Sequence, residues 1–205
     1  MYIDYLFTNN KKQCYGCRAC VEICPKNSIT MLNDKETFLY PHVDKSKCIN
    51  CNLCHEVCPA NKTIYDLVNK TASKPIAIAA VHKSSDVVFN SSSGGAFTAI
   101  LNSIYDKNTV IFGVCYNNRL QVIHDYVTTI EDSYKFRKSK YVQSNTNDSF
   151  SKVKQFLINN KKVVFSGTPC QIAALKTYLR NVDTNNLFCF RFLFLKHKNY
   201  VFVKN

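Results

Sequence analysis

The chain has only five glycines and five prolines in 205 residues, and its composition is 46% hydrophobic and 20% charged. Those proportions exclude a collagen-like fibre and a disordered tract, and leave an ordinary globular chain with room for one or two small domains. No apolar run approaches the roughly 20 residues that a bilayer span needs. The greasy stretch from Phe188 to Val203 is interrupted by Arg191, Lys196, His197 and Lys198, so no membrane span is expected. Met1 to Lys12 lacks a cationic segment followed by an apolar core, so no secretory signal is expected and the default compartment is the reducing cytoplasm. Acidic residues are scarce: 14 Asp and Glu face 27 Lys and Arg, a formal charge of +13. With eleven cysteines, that imbalance leaves three classes open: a disulfide scaffold, a metal or cluster protein, and a nucleic-acid binder.

An odd number of cysteines cannot all pair within one chain, and eight of the eleven crowd between Cys14 and Cys58. Cys14, Cys17, Cys20, Cys24 and Pro25 recur 34 residues later as Cys48, Cys51, Cys54, Cys58 and Pro59. Gly16 and Asn50 precede the second cysteine of each set; both residue types tolerate the left-handed backbone that a loop folded around a cluster requires. Ser28 to Leu32 and Thr37 to Tyr40 read as small strands between the two halves. Each half has the C-x2-C-x2-C-x3-C-P spacing of two-cluster ferredoxins, in which three cysteines of one loop hold one cubane and the fourth reaches the other. By that pattern Cys14, Cys17, Cys20 and Cys58 hold one [4Fe-4S] cluster, and Cys48, Cys51, Cys54 and Cys24 hold the second. The alternative is a pair of structural zinc sites, which also use Cys-x2-Cys pairs. His55, inside the second motif, is expected to be a polar side chain facing solvent, because the cysteines already complete both sites.

The sequence changes character after about Lys70, and Thr71 to Pro75 is a plausible linker. Beyond it, strands are expected over Pro75 to Val81, Val110 to Tyr116, Gln121 to Val127 and Lys162 to Ser166. Helices are expected over Ala96 to Tyr105, Ser149 to Ile158 and Gln171 to Leu179. This alternation argues for an α/β sheet. Two turns lead into helices, Ser93-Gly94-Gly95 and Gly167-Thr168-Pro169. Either could offer backbone N–H groups to a phosphate, or be a plain strand-to-helix connection. Pro169 suits a first helical turn. The basic run Lys135 to Tyr141 is a solvated face or a ligand contact, and Tyr141 beside Lys140 could stack on a flat ring or simply pack.

The doubled cysteine motif, then Ser91-Ser-Ser-Gly-Gly-Ala96, Lys138-Ser-Lys-Tyr-Val-Gln-Ser144 and Phe165-Ser-Gly-Thr-Pro-Cys-Gln171, resembles in its order the coenzyme F420 hydrogenase/dehydrogenase beta-subunit family. The likeness runs from about Cys14 to Phe190. It implies a cytoplasmic iron–sulfur flavoprotein: an α+β ferredoxin domain over 1–70, an incomplete α/β flavin-associated domain over 71–190, and a divergent tail over 191–205. It further implies FAD near Ser93, Gly94, Gly95, Lys140, Tyr141, Gly167, Thr168 and Cys170. The implied partners are a redox protein or a hydrogenase or dehydrogenase subunit, and F420 or another two-electron acceptor. Members of the family continue past this point through an acidic residue and a Cys-His-Gly segment; here the chain reads Cys189-Phe-Arg191 and ends at Asn205, so a truncated or frame-shifted C-terminus is expected. Cys115, Cys170 and Cys189 are too few for another four-thiolate cluster. Cys170 is expected as a lost ligand or a flavin neighbour, and Cys115 and Cys189 as buried inert thiols. His82 and His124 are expected to be structural, and no catalytic acid or base can be named.

The competing functions are an oxidoreductase coupling two clusters through a flavin to a hydride-type acceptor, a non-catalytic electron carrier with a docking domain, and a nucleic-acid binder. Residues 1–70 carry nine basic and seven acidic side chains, net +2, and residues 71–205 carry eighteen and seven, net +11. Two cubanes of about −2 each would turn the first segment mildly negative. The basic excess then belongs to the second segment, where an anionic cofactor or acidic redox partner accounts for it better than nucleic acid does.

Overall fold

The computed structural model describes residues 2–61, 78–195 and 198–204. The N-terminal segment starts with a short helix α1 (Tyr5–Thr8), capped by the Asp4 side chain. It continues through α2 (Ala19–Ile23), a hairpin of β1 (Ile29–Asn33) and β2 (Leu39–Val43), and α3 (Leu53–Val57). The internal repeat is carried into the backbone. Gly16 (φ 63°) and Asn50 (φ 53°) are left-handed, as the loop geometry demands, and so are Arg18 (φ 63°) and Asn52 (φ 61°) immediately before α2 and α3. Each helix then ends on a cysteine in extended conformation, Cys24 (ψ 111°) or Cys58 (ψ 121°), as the following proline requires.

The second segment contains α4 (Ser85–Phe89), α5 (Ala96–Ile104), β3 (Thr109–Tyr116), β4 (Val122–Val127), α6 (Ser149–Ile158), β5 (Lys162–Gly167), α7 (Pro169–Tyr178), β6 (Leu187–Leu195) and β7 (Lys198–Lys204). The sheet order is β4-β3-β5-β6-β7. Strands β3, β5 and β6 run parallel, and each edge strand is antiparallel to its neighbour. The segment is therefore a mixed α/β sheet with a parallel centre. The expected linker lies outside the described residues, as does most of the expected strand from Pro75; its described part, residues 78–81, is not a strand. Residues 191–195 extend β6, and 198–204 supply the edge strand β7.

Near-continuous apolar runs in β3 and β5 mark strands covered on both faces. Val110, Phe112, Val163 and Phe165 point to one side, against Phe150 and Val153 of α6 and Ile172 and Leu175 of α7. Cys17, Ala19 and Val57 of the N-terminal segment belong to that same cluster. Ile111, Cys115 and Val164 point to the other side, against Leu101 of α5 and Phe136. The cysteine loops thus share the hydrophobic core of the sheet. No helix among the described residues is long and apolar enough to cross a membrane.

Polar contacts fix the same junction. Thr177 Oγ1 donates to Val57 O at 2.6 Å, and Arg180 pairs with Glu56 at 2.8 Å. Glu22 Oε2 accepts from the backbone N–H groups of Phe150 and Ser151 at 3.0 and 3.2 Å, so a residue of α2 caps α6 across 128 positions of sequence. Burial pushes the Glu22 carboxyl up to about 8.

A second buried network ties β4 to β5. The His124 ring stacks on Phe165 with centroids 5.1 Å apart, and its Nε2 lies 3.0 Å from Ser166 O. That carbonyl can only accept, so Nε2 carries the proton and Nδ1 accepts from Ser144 Oγ at 2.9 Å. Gln171 Nε2 donates to Ser144 Oγ at 3.0 Å, and Gln171 Oε1 accepts from Thr168 N at 2.9 Å, closing a capping box at the start of α7. Burial depresses the His124 pKa to about 4.

Two stability predictions result. Glu22→Ala removes the cap of α6 and lowers unfolding stability in urea by about 1–2 kcal/mol. Glu22→Gln, which keeps the acceptor oxygen, stays close to wild type; equal midpoints for E22A and wild type would refute the cap. For His124 the unfolded chain binds a proton near pH 6.5 and the folded chain only near 4, so stability falls as pH drops through that window. Its contribution is roughly 3 kcal/mol. Urea midpoints measured across this range should fall less steeply for His124→Gln, which cannot become charged.

Candidate functional site

The eight repeated cysteines surround two cavities. Cys14, Cys17, Cys20 and Cys58 line the first, together with Cys54. Cys24, Cys48, Cys51 and Cys54 line the second. Each cavity therefore gathers three cysteines of one loop and the fourth of the other, with Cys54 at the wall between them. The exchange follows from the backbone: the left-handed residue, one helical turn and the extended Cys-Pro step carry Cys24 and Cys58 away from their own loops. Among the described residues no three Cys, His, Asp or Glu side chains converge on a single point that would seat one ion.

The two cavities differ in their surroundings. Cys17 is buried in the core beneath the sheet, whereas Cys51 is exposed. Burial pushes the thiols of Cys14, Cys17 and Cys20 up, and those of Cys54 and Cys58 up to about 11. At Cys24 burial acts in the same direction, but hydrogen bonds from the Ser28 side chain and from nearby backbone N–H groups outweigh it and bring the thiol below its ordinary value. Ser28 Oγ and N lie 3.1 and 3.3 Å from Cys24 Sγ, and Gly16 N lies 3.4 Å from Cys14 Sγ. Such donors stabilise sulfur that bears negative charge. Polar N–H groups aimed at sulfur inside an otherwise apolar wall suit anionic iron–sulfur clusters, with the four cysteines of each cavity as ligands.

His55 does not face solvent as expected. Its Nδ1 lies 2.9 Å from the carboxylate of buried Asp4, and its ring stacks on Tyr2 at 4.7 Å. Asp4 also accepts from Asn61 Nδ2 at 2.6 Å, so His55 fastens the N-terminus onto α3.

A third cavity opens at the carboxyl ends of β5 and β6, the position where open α/β sheets bind ligands. Its cavity volume is about 120 Å³, and it is open to solvent. One wall is Ser91 to Ser93, Gly95, Ala96 and Phe97; another is Phe136 to Lys140 with Val142 to Ser144; the floor is Ser166, Gly167, Thr168 and Gln171. Of the residues expected at a flavin, Ser93, Gly95, Lys140, Gly167 and Thr168 come together here. Gly94, Tyr141 and Cys170 lie outside the lining. Gly94 O accepts from His82 N at 2.7 Å, and Tyr141 is 78% exposed. Cys170 Sγ is 3.1 Å from Thr168 Oγ1. Cys115 and Cys189 lie in β3 and β6, and burial raises both thiols, Cys189 to about 11.

Gly95 is required by its backbone (φ 77°) and by space, since a Cβ would lie 2.8 Å from His82 Cβ. The Lys140 ammonium is committed to the carbonyls of Arg137 and Lys135 at 2.6 and 3.2 Å, so it braces the loop. Arg137 Nε is buried in the same wall without a hydrogen-bond partner in the described structure. An orphaned guanidinium donor, a second cation at Lys138 and the start of α5 suit an anionic ligand such as the pyrophosphate of FAD.

Behind the floor lies the His124, Ser144 and Gln171 network, of which Ser144 and Gln171 line the cleft. Sequence reasoning singled out neither Ser144 nor Gln171 as a cleft residue, although both close the motifs that carry the family resemblance.

Comparison with known proteins agrees with the cysteine geometry. Nothing among curated proteins matches the chain. Residues 13–62 match the family model described as a 4Fe-4S dicluster domain, so the chain begins with a ferredoxin-type domain suited to electron transfer and is followed by the mixed α/β sheet.

Proposed function

We propose that the chain is an iron–sulfur flavoprotein oxidoreductase, or a subunit of one. Cys14, Cys17, Cys20 and Cys58 hold one [4Fe-4S] cluster, Cys48, Cys51, Cys54 and Cys24 hold the other, and FAD occupies the cleft. When bound, the flavin supplies the ability to trade electrons singly or in pairs, which links one-electron clusters to a hydride acceptor such as coenzyme F420 or a relative of it. The observation that carries this reading is the shared wall: residues 143 and 144 line the cleft, while Gln143 and Thr146 bond the carbonyls of Tyr15 and Cys17 in the first cysteine loop.

Each part of the cleft has a task. Arg137 and Lys138 attract the anionic end of the ligand, and the start of α5 adds its N-terminal field. Phe97, Phe136 and Val114 shed water from the flat portion. Gln171 and Ser144, locked by His124, hold the floor at fixed polarity. Since burial keeps His124 neutral at physiological pH, it orients this network and moves no proton there. A redox partner protein, or a hydrogenase or dehydrogenase subunit, completes the path at the exposed Cys51 side.

Anaerobic reconstitution of the full chain with iron, sulfide and FAD tests the assignment. The expected product holds about eight irons and one flavin per chain after gel filtration. Eight irons with no retained flavin under FAD excess would replace the enzyme by an electron carrier, and no bound iron would defeat both.

A further inference from the structure

One peptide group touches both the first cysteine cavity and the cleft. The peptide joining Tyr15 to Gly16 donates through Gly16 N to Cys14 Sγ at 3.4 Å, and its carbonyl, Tyr15 O, accepts from Gln143 Nε2 at 2.8 Å. Gln143 lines the cleft. Its side chain lies directly on the left-handed Gly16, where a Cβ would sit 2.6 Å from Nε2. Thr146 Oγ1, bonded to Cys17 O at 3.3 Å, holds the next stretch of the loop to the same segment. The second cavity has a different arrangement. Asn50, which occupies the place of Gly16, is exposed, and its own Oδ1 lies 3.7 Å from Cys48 Sγ.

Donors to cluster sulfurs help to set the reduction potential, because they stabilise the additional negative charge of the reduced state. A hydrogen bond to a peptide carbonyl polarises that peptide and strengthens its N–H as a donor. Gln143 is exposed, so in the open cleft water competes at both ends of this chain. A ligand lying over Gln143 excludes that water and lowers the local dielectric, which strengthens both bonds.

We propose that Gln143 is a positioning residue that couples occupancy of the cleft to the reduction potential of the cluster held by Cys14, Cys17, Cys20 and Cys58, and not to that of the other cluster. The proposal rests on the reading that those cysteines hold a cluster. By linkage, an occupant that makes this cluster easier to reduce binds more tightly, by the same factor, once the cluster is reduced.

Redox titration of the reconstituted full chain, followed by electron paramagnetic resonance, tests it. Gln143→Met keeps the bulk over Gly16 but removes the donor. It should make one cluster about threefold harder to reduce. The affected signal should be the one that survives Cys51→Ser. Added FAD should make that cluster easier to reduce in the wild type and leave it unchanged in Q143M. Equal potentials in Q143M and wild type, or equal shifts of both clusters, would overturn the coupling. A wild-type preparation that keeps its iron but not FAD sinks the flavin reading alone and leaves the Q143M comparison to decide; one without iron sinks both.

Discussion

Sulfur must become anionic where its surroundings are apolar, and the architecture answers that constraint. Burial raises most of the repeated thiols, and Cys17 stands inside the core of the sheet. Ionisation there depends on a metal centre and on backbone N–H groups placed by left-handed residues before short helices. Helices of five residues, such as α2 and α3, cannot hold themselves in water. They are held by Ala19 and Val57 packing under the sheet, and ligation of the cysteines at their ends would hold them further. Metal loading and the packing of the α/β segment are therefore one folding problem.

That shared core makes the two halves of the repeat unequal. The loop around Cys17 is pinned by Gln143, Thr146 and the capping carboxyl group of Glu22, all bonding across more than a hundred residues. The loop around Cys51 has its cysteine exposed. Two nearly identical sequence motifs thus present one buried face and one open face, an asymmetry suited to a chain that receives electrons at its surface and uses them inside.

The cysteine repeat was legible in the sequence because its chemistry is local. Spacing, the following proline and the left-handed Gly16 and Asn50 are all set within a few residues. Helix α6 was likewise legible from its apolar period, over Ser149 to Ile158, and β3 and β5 from their unbroken apolar runs. Long-range pairings were not legible. His55 looked solvent-facing because its partner Asp4 is 51 residues away, and Gln143 had no visible role because Tyr15 lies 128 residues earlier. The apolar run at residues 75–81 resembled a buried strand, yet residues 78–81 are exposed and pair with no strand. The short α4 is not legible, because one turn and a half carries almost no periodic signal. The cleft was half legible: its glycine turns announced themselves, while its polar floor depends on side chains from β4, α7 and the segment between them.

The segment from Gln143 to Thr146 also acts on the sheet itself. β4 is an outer strand, and beyond it the backbone of Asn145 accepts from His124 N at 2.8 Å and donates to Val122 O at 2.9 Å. These bonds occupy groups that an outer strand otherwise offers to any extended chain, the usual route to strand addition and aggregation. The residues that brace the cysteine loop therefore also guard this margin against unwanted association. A lesion that frees them would be expected to cost solubility as well as redox function.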